Sequence, residues 1–170
     1  MCLRKFTSER YGVTSVNLDA MWRAIALSEE SIRLNRGGPF GAVIVREGAI
    51  IAEGYNQVTS TNDPTAHAEI VAIRAACTAL HHFCLHGCAI YTSCEPCPMC
   101  LSAIYWARLD RIYYANTRQE AAQIGFDDEF LYREIPLALE ERSVPAIRLL
   151  ADEARGAFDA WQQKPDKIRY

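Results

Sequence analysis

Leu18, Met21, Trp22, Ile25 and Ile32 recur at three- and four-residue spacing, while Arg23, Glu29 and Arg33 fall mostly on the opposite side. That is the pattern of an amphipathic helix, and Gly37-Gly38 brings it to an end. Residues 1–16 before it show no clear period and read as a loosely held arm. Residues 39–45 and 49–58, rich in Val, Ile and Ala, predict two strands joined by a tight turn at Glu47-Gly48. A polar loop is expected over 59–62, and Asp63-Pro64 supplies a capping side chain followed by a proline. This predicts that an alanine-rich helix begins there and reaches about Leu80. Residues 89–92 read as a strand, and Pro96 and Pro98 mark the start of a helix running to about Arg108. Residues 111–115 predict another strand, and 119–134 a helix broken at Gly125-Phe126. Beyond Pro136, residues 146–150 are the last strand candidate and 151–163 the last helix. Short strands alternating with helices predict a layered α/β domain with helices on both faces of the sheet.

Composition narrows the classes of function. A chain of 170 residues, half of them hydrophobic, suits one compact domain with a sizeable core. Its 18 basic and 21 acidic residues give a formal charge of −3, which lacks the electrostatic footprint of a nucleic-acid binder and favours a small-molecule substrate. No apolar run is long enough to span a bilayer, and Met1-Cys2-Leu3-Arg4-Lys5-Phe6 lacks the apolar core of a secretion signal, so the expected compartment is the cytoplasm. The seven cysteines are odd in number and include one metal-spaced pair, which fits a reducing compartment better than a disulfide framework. Cys2, Cys77, Cys84 and Cys88 then read as small hydrophobes.

The chemistry concentrates in His67-Ala68-Glu69 and Pro96-Cys97-Pro98-Met99-Cys100. Two cysteines separated by two residues can close on one ion from the first turn of a helix, and a histidine can supply a third donor. A tetrahedral zinc site with three protein ligands keeps a fourth position for water, whose pKa falls toward neutrality. Glu69, two residues past His67, is then free to carry protons. Cys94 as a fourth ligand would close such a site; its place at a strand end argues for a supporting role instead. His82, Cys84, His86 and Cys88 alternate in a way that admits a second metal site, although loop histidines after a helix more often cap carbonyls. The H-x-E and P-C-x-x-C pattern is that of the zinc-dependent nucleobase deaminases.

With these motifs the chain resembles the cytidine deaminase-like superfamily, and within it the small zinc-dependent guanine deaminases. The narrower resemblance is carried by residues 38–45, 62–69, 91–100 and 103–108, by Gly125-Phe126-Asp127-Asp128, and by Tyr170. It implies a three-layer α/β/α fold around a central mixed five-stranded sheet. The organisation it implies is an amino-terminal arm (1–16), a zinc deaminase domain (17–150), and a C-terminal helix and tail (151–170) exchanged with a partner subunit in a homodimer. The implied reaction is hydrolytic deamination of guanine to xanthine and ammonia. One zinc ion per chain would be held by His67, Cys97 and Cys100, with water or hydroxide as fourth ligand and Glu69 relaying protons.

The same resemblance makes Asn56 and Asp128 hydrogen-bonding partners of the base and Tyr170 a contact supplied by the partner subunit. Phe40 and Trp106 would be flat walls for the purine, and Glu129 a second, weaker proton carrier. The residues alone leave other readings open. Asn56 also suits a turn, Asp127, Asp128 and Glu129 also suit a helix cap, and Phe40 and Trp106 also suit a core. Other bases remain open too: cytosine, an aminotriazine such as ammeline, or adenosine in transfer RNA. So does a zinc-stabilised binding module without catalysis.

Overall fold

The computed structural model describes residues 16–169. The arm lies almost wholly outside the described residues, as does Tyr170. The described chain divides into two bodies, residues 16–128 and residues 129–169.

In the larger body, helix α1 (Leu18–Arg33) precedes the hairpin of β1 (Gly41–Arg46) and β2 (Ala49–Tyr55). Asn17 caps α1 by accepting from Ala20 N–H, and Glu47 and Gly48 both take positive φ, 52° and 83°, in the tight turn the sequence predicts. A short helix α2 (Val58–Thr61), helix α3 (Ala68–Ala79), strand β3 (Cys88–Cys94), helix α4 (Pro98–Trp106), strand β4 (Arg111–Asn116) and helix α5 (Arg118–Gln123) follow. The sheet is mixed and four-stranded in the order β2-β1-β3-β4; β1 pairs antiparallel with β2 and β3, and β3 parallel with β4.

Alternation along β1 builds the layers. Val43 and Val45 face Ala20 and Leu27 of α1, together with Tyr91 of β3. Ala42 and Ile44 face the other way, into a cluster with Ala68, Ala72 and Ala76 of α3, Ile90 of β3 and Ile104 of α4. Helices therefore cover both faces, as expected. The alanines of α3 allow close approach to the sheet. A Cβ at Gly54 of β2 would lie 2.4 Å from Ala68 O and 2.6 Å from Ala72 N, so only glycine lets this strand pass beside the start of α3.

Several expectations need correction. The sheet has four strands among the described residues, not five, because residues 146–150 are not a strand. Ile147, Leu149 and Leu150 stay exposed, and Leu150 takes a left-handed conformation before the last helix, α7 (Ala151–Gln163), which breaks the extended run. Helix α3 begins at Ala68, not at Asp63-Pro64. The Asp63 side chain is taken by a turn: Oδ1 accepts from Thr65 N–H (2.8 Å) and Thr65 Oγ1–H (2.6 Å). Residues 59–62 are largely the short helix α2, not a loop, and β2 stops at Tyr55 because the Asn56 side chain takes Val58 N–H out of the ladder.

The smaller body holds α6 (Glu129–Glu134), a 3₁₀ turn (Leu139–Glu141) and α7 (Ala151–Gln163). Phe158 and Trp161 of α7 are exposed, as are Val144 and Ile147 before it.

Candidate active site

Two helix N-termini meet below the ends of β2 and β3. His67 is the N-cap of α3 and Cys97 the N-cap of α4, and neither side chain is spent on capping its own helix. His67 Nδ1 lies 3.6 Å from Cys97 Sγ and 3.5 Å from Cys100 Sγ. A tetrahedral ion with bonds of about 2.1 Å to nitrogen and about 2.3 Å to sulfur has an N···S edge of about 3.6 Å. The donor set therefore fits zinc in spacing as well as chemical type. Among the described residues it is the one group of three or more His, Cys, Asp or Glu placed to hold a metal ion.

Electrostatics in the cluster agree with that fit. The Cys100 thiol, with help from the His67 ring, lowers the Cys97 pKa to about 4, against the opposing effect of burial. The hydrogen bond with Cys97 raises the His67 pKa. A thiolate at Cys97 is thus favoured beside the His67 ring, and the positive ends of α3 and α4 add to it. Cys94 stands apart: its Sγ meets Thr117 O (3.7 Å), and burial pushes its thiol up to about 11. It is not a member of the donor group.

Glu69, in the first turn of α3, is only 6% exposed, and burial pushes its carboxyl pKa up, with the Cys97 thiolate adding to the rise. A carboxyl so placed holds a proton more readily than one in water, as a group that both takes and returns protons requires. It lies beside the donor set without belonging to it.

Asn56 is buried at the end of β2, and its Oδ1 accepts from Gly38 N–H and Val58 N–H, each at 3.2 Å. Both lone pairs of that oxygen are used, so the amide meets a ligand through its NH₂ group alone. A Cβ at Gly37 would fall 2.1 Å from Asn56 Oδ1, so the bend passes against this side chain only because it is glycine.

Phe40 meets Phe126 edge to face at 4.9 Å. Phe126 was not singled out as an aromatic wall from sequence; its only signal was its place in Gly-Phe-Asp-Asp. Two residues on, Asp128 is half-buried, and desolvation with the nearby Cys97 charge raises its carboxyl pKa. Asp128 thus feels the charge of the donor cluster. Trp106 lies farther off. It ends α4 six residues beyond Cys100, about 9 Å farther along the axis, is 63% exposed, and lies under the Arg108 guanidinium. Glu129 opens α6 in the other body. Among the described residues the 81–88 loop forms no metal group: His82 Nδ1 accepts from Cys84 N–H, and His86 Nδ1 meets Asp110 Oδ1 at 2.6 Å.

An α/β sheet that delivers histidine and two cysteines from two helix N-termini, with a buried carboxyl beside them, defines the zinc-dependent deaminase class. This chain belongs to the family of the cytidine and deoxycytidylate deaminase zinc-binding region, whose profile matches residues 14–116. It is 53% identical over 148 residues to the guanine deaminase of Bacillus subtilis, covering 87% of this chain and 95% of that protein. The X-ray structure of guanine deaminase from Bacillus subtilis superposes with a TM-score of 0.88 at 50% identity, over 92% of this chain and 99% of that one. A tRNA-specific adenosine deaminase of Aquifex aeolicus is 41% identical over 92 residues, 54% of this chain and 61% of that protein.

Proposed function

We propose that this protein is a zinc-dependent guanine deaminase that hydrolyses guanine to xanthine and ammonia. The observation that carries the reading is the His67, Cys97 and Cys100 donor set with Glu69 buried beside it, in a chain 53% identical to a guanine deaminase along most of its length. Bound by those three residues, zinc supplies a fourth position for water and lowers the pKa of that water toward neutrality.

The protein's own groups do the rest. Glu69 takes one proton from the attacking water and gives it to the ring nitrogen. It then takes the second from the hydroxyl added to carbon and gives it to the amine, so that the C–N bond breaks with ammonia leaving as the new carbonyl forms. Its burial supports both halves of that exchange. Asn56 donates its NH₂ to the ring carbonyl, and Asp128 accepts from the ring N–H and amine. Phe40 and Phe126 exclude water from the faces of the base. A base with these donors and acceptors reversed would leave the polar atoms of Asn56 and Asp128 unpaired, which costs affinity.

The finer assignments belong to this proposal as well. The enzyme acts in the cytoplasm as a homodimer, with the 151–170 segment exchanged so that Tyr170 serves the partner's site, and Glu129 assists proton transfer. The exposed Phe158 and Trp161 of α7 support an apolar partner for that segment. No helix of the described residues is long and apolar enough to cross a membrane.

Ammonia release from a panel of guanine, cytosine, adenine, ammeline and transfer RNA tests the substrate. Guanine giving xanthine as the dominant reaction supports the reading, and preferential release from transfer RNA overturns it.

A further inference from the structure

Among the buried polar side chains that the mechanism leaves unexplained is Ser31 near the end of α1, which has no exposed surface. A serine hydroxyl inside a helix commonly returns to a carbonyl one turn earlier. Ser31 Oγ–H instead donates to the backbone carbonyl of Asn56, 3.1 Å away and 25 residues along the chain. Asn56 N–H donates in turn to Phe40 O (3.0 Å), and its Oδ1 accepts from Gly38 and Val58. Among the described residues, the one polar group of Asn56 without a protein acceptor is Nδ2.

The backbone of Ser31 serves the same region. Its carbonyl accepts from Arg36 N–H (2.9 Å), and Arg36 O accepts from Ser60 N–H and Thr59 Oγ1–H, both at 3.1 Å. One serine therefore fastens α1 to both strips of chain that enclose Asn56. The apolar packing of α1 needs no hydroxyl at this position, since Ala20, Ala24 and Leu27 already bury its sheet-facing side.

We infer that Ser31 is a positioning residue for substrate recognition, holding the Asn56 backbone so that the NH₂ group of its side chain is presented to the ring. The inference rests on the reading of Asn56 as a base contact. Without the Ser31 hydroxyl, the Asn56 carbonyl is left unpaired inside the protein and the end of β2 relaxes. Guanine then binds less well, while the proton exchange at Glu69 is untouched.

A double-mutant cycle with Ser31→Ala and Asn56→Ala tests this, with KM and kcat for guanine and bound zinc measured on each protein. Ser31→Ala is expected to raise KM about three- to ten-fold. Its kcat should stay within about two-fold and its zinc content should not change. In the Asn56→Ala background the same substitution should shift KM by less than about two-fold. If Asn56→Ala raises KM and Ser31→Ala does not, the inference fails while the Asn56 contact stands. Additive effects would also overturn it, since they assign Ser31 to packing alone. If Asn56→Ala leaves KM unchanged, the reading of Asn56 falls and the inference with it. Should Ser31→Ala not fold, Ser31→Cys, with a thiol as a weak donor, replaces it in the same cycle. An unchanged KM in that variant overturns the inference.

Discussion

His67 and Cys97 occupy equivalent places in two different helices: each is an N-cap that does not cap, and their side chains meet at 3.6 Å. The two helices are thereby joined at their positive ends through the donor set. A zinc ion there would join α3 to α4, and its loss would leave the His67 ring and the Cys97 thiolate partly buried together. Removing zinc with a chelator should lower the melting temperature and stop ammonia release, and added zinc should restore both. Retention of full activity by metal-free protein would rule the site out.

Gly54→Ala tests how the strand and helix deliver the ligands. The new methyl would press on backbone atoms of α3 at 2.4 and 2.6 Å, and backbone cannot swing aside as a side chain does. A cost of about 1–3 kcal/mol is expected, lowering the melting temperature by about 2–4 °C for each kcal/mol. Zinc affinity should fall with it, because Ala68 adjoins His67. A variant as stable as the native protein would show that β2 and α3 do not bear on each other here.

Asp63 gives a pH dependence. The Thr65 hydroxyl and N–H donate to its carboxylate and lower its pKa from the ordinary 3.8. A group depressed in the folded state stabilises it above its unfolded pKa, and the contribution is lost as pH falls through the folded value. The melting temperature of Asp63→Ala should therefore lie below the native one at pH 6–8. That gap should narrow below about pH 4. A gap independent of pH would assign the effect to something other than this turn.

Asp128→Asn replaces a charged acceptor with an amide that also presents donors. Hydrogen bonds to a charged group contribute about 1.5–3 kcal/mol, so kcat/KM for guanine should fall by about 10- to 150-fold with bound zinc unchanged. Equal turnover would move the base contact elsewhere in the Gly-Phe-Asp-Asp segment.

What could be read in the sequence divides along the range of the interactions involved. Helix α7 and the Glu47-Gly48 turn depend on neighbours a few residues apart, and both appear where the pattern puts them. The donor set was also legible, since spacing within one helix turn fixes the pair Cys97 and Cys100. The start of α3 was misread because Asp63 can cap a helix or close a turn, and residue order does not distinguish the two. Residues 146–150 have the composition of a strand, yet a strand exists only where another strand pairs with it. Asn56 was marked as a residue that reads a base, but the bonds of its Oδ1 depend on Gly38, 18 residues away. Ser31 gave no signal at all, because a serine on the buried side of a helix looks the same whether or not it has a distant partner.

The most direct test compares native protein with Glu69→Gln, both loaded with zinc, by following xanthine and ammonia formation from guanine while counting bound metal. The substitution preserves shape and removes the ability to take up and release a proton. The expected result is unchanged zinc with kcat reduced by about 10²- to 10⁴-fold. Native turnover by a zinc-bound Glu69→Gln protein would contradict the assignment of proton transfer to this carboxyl.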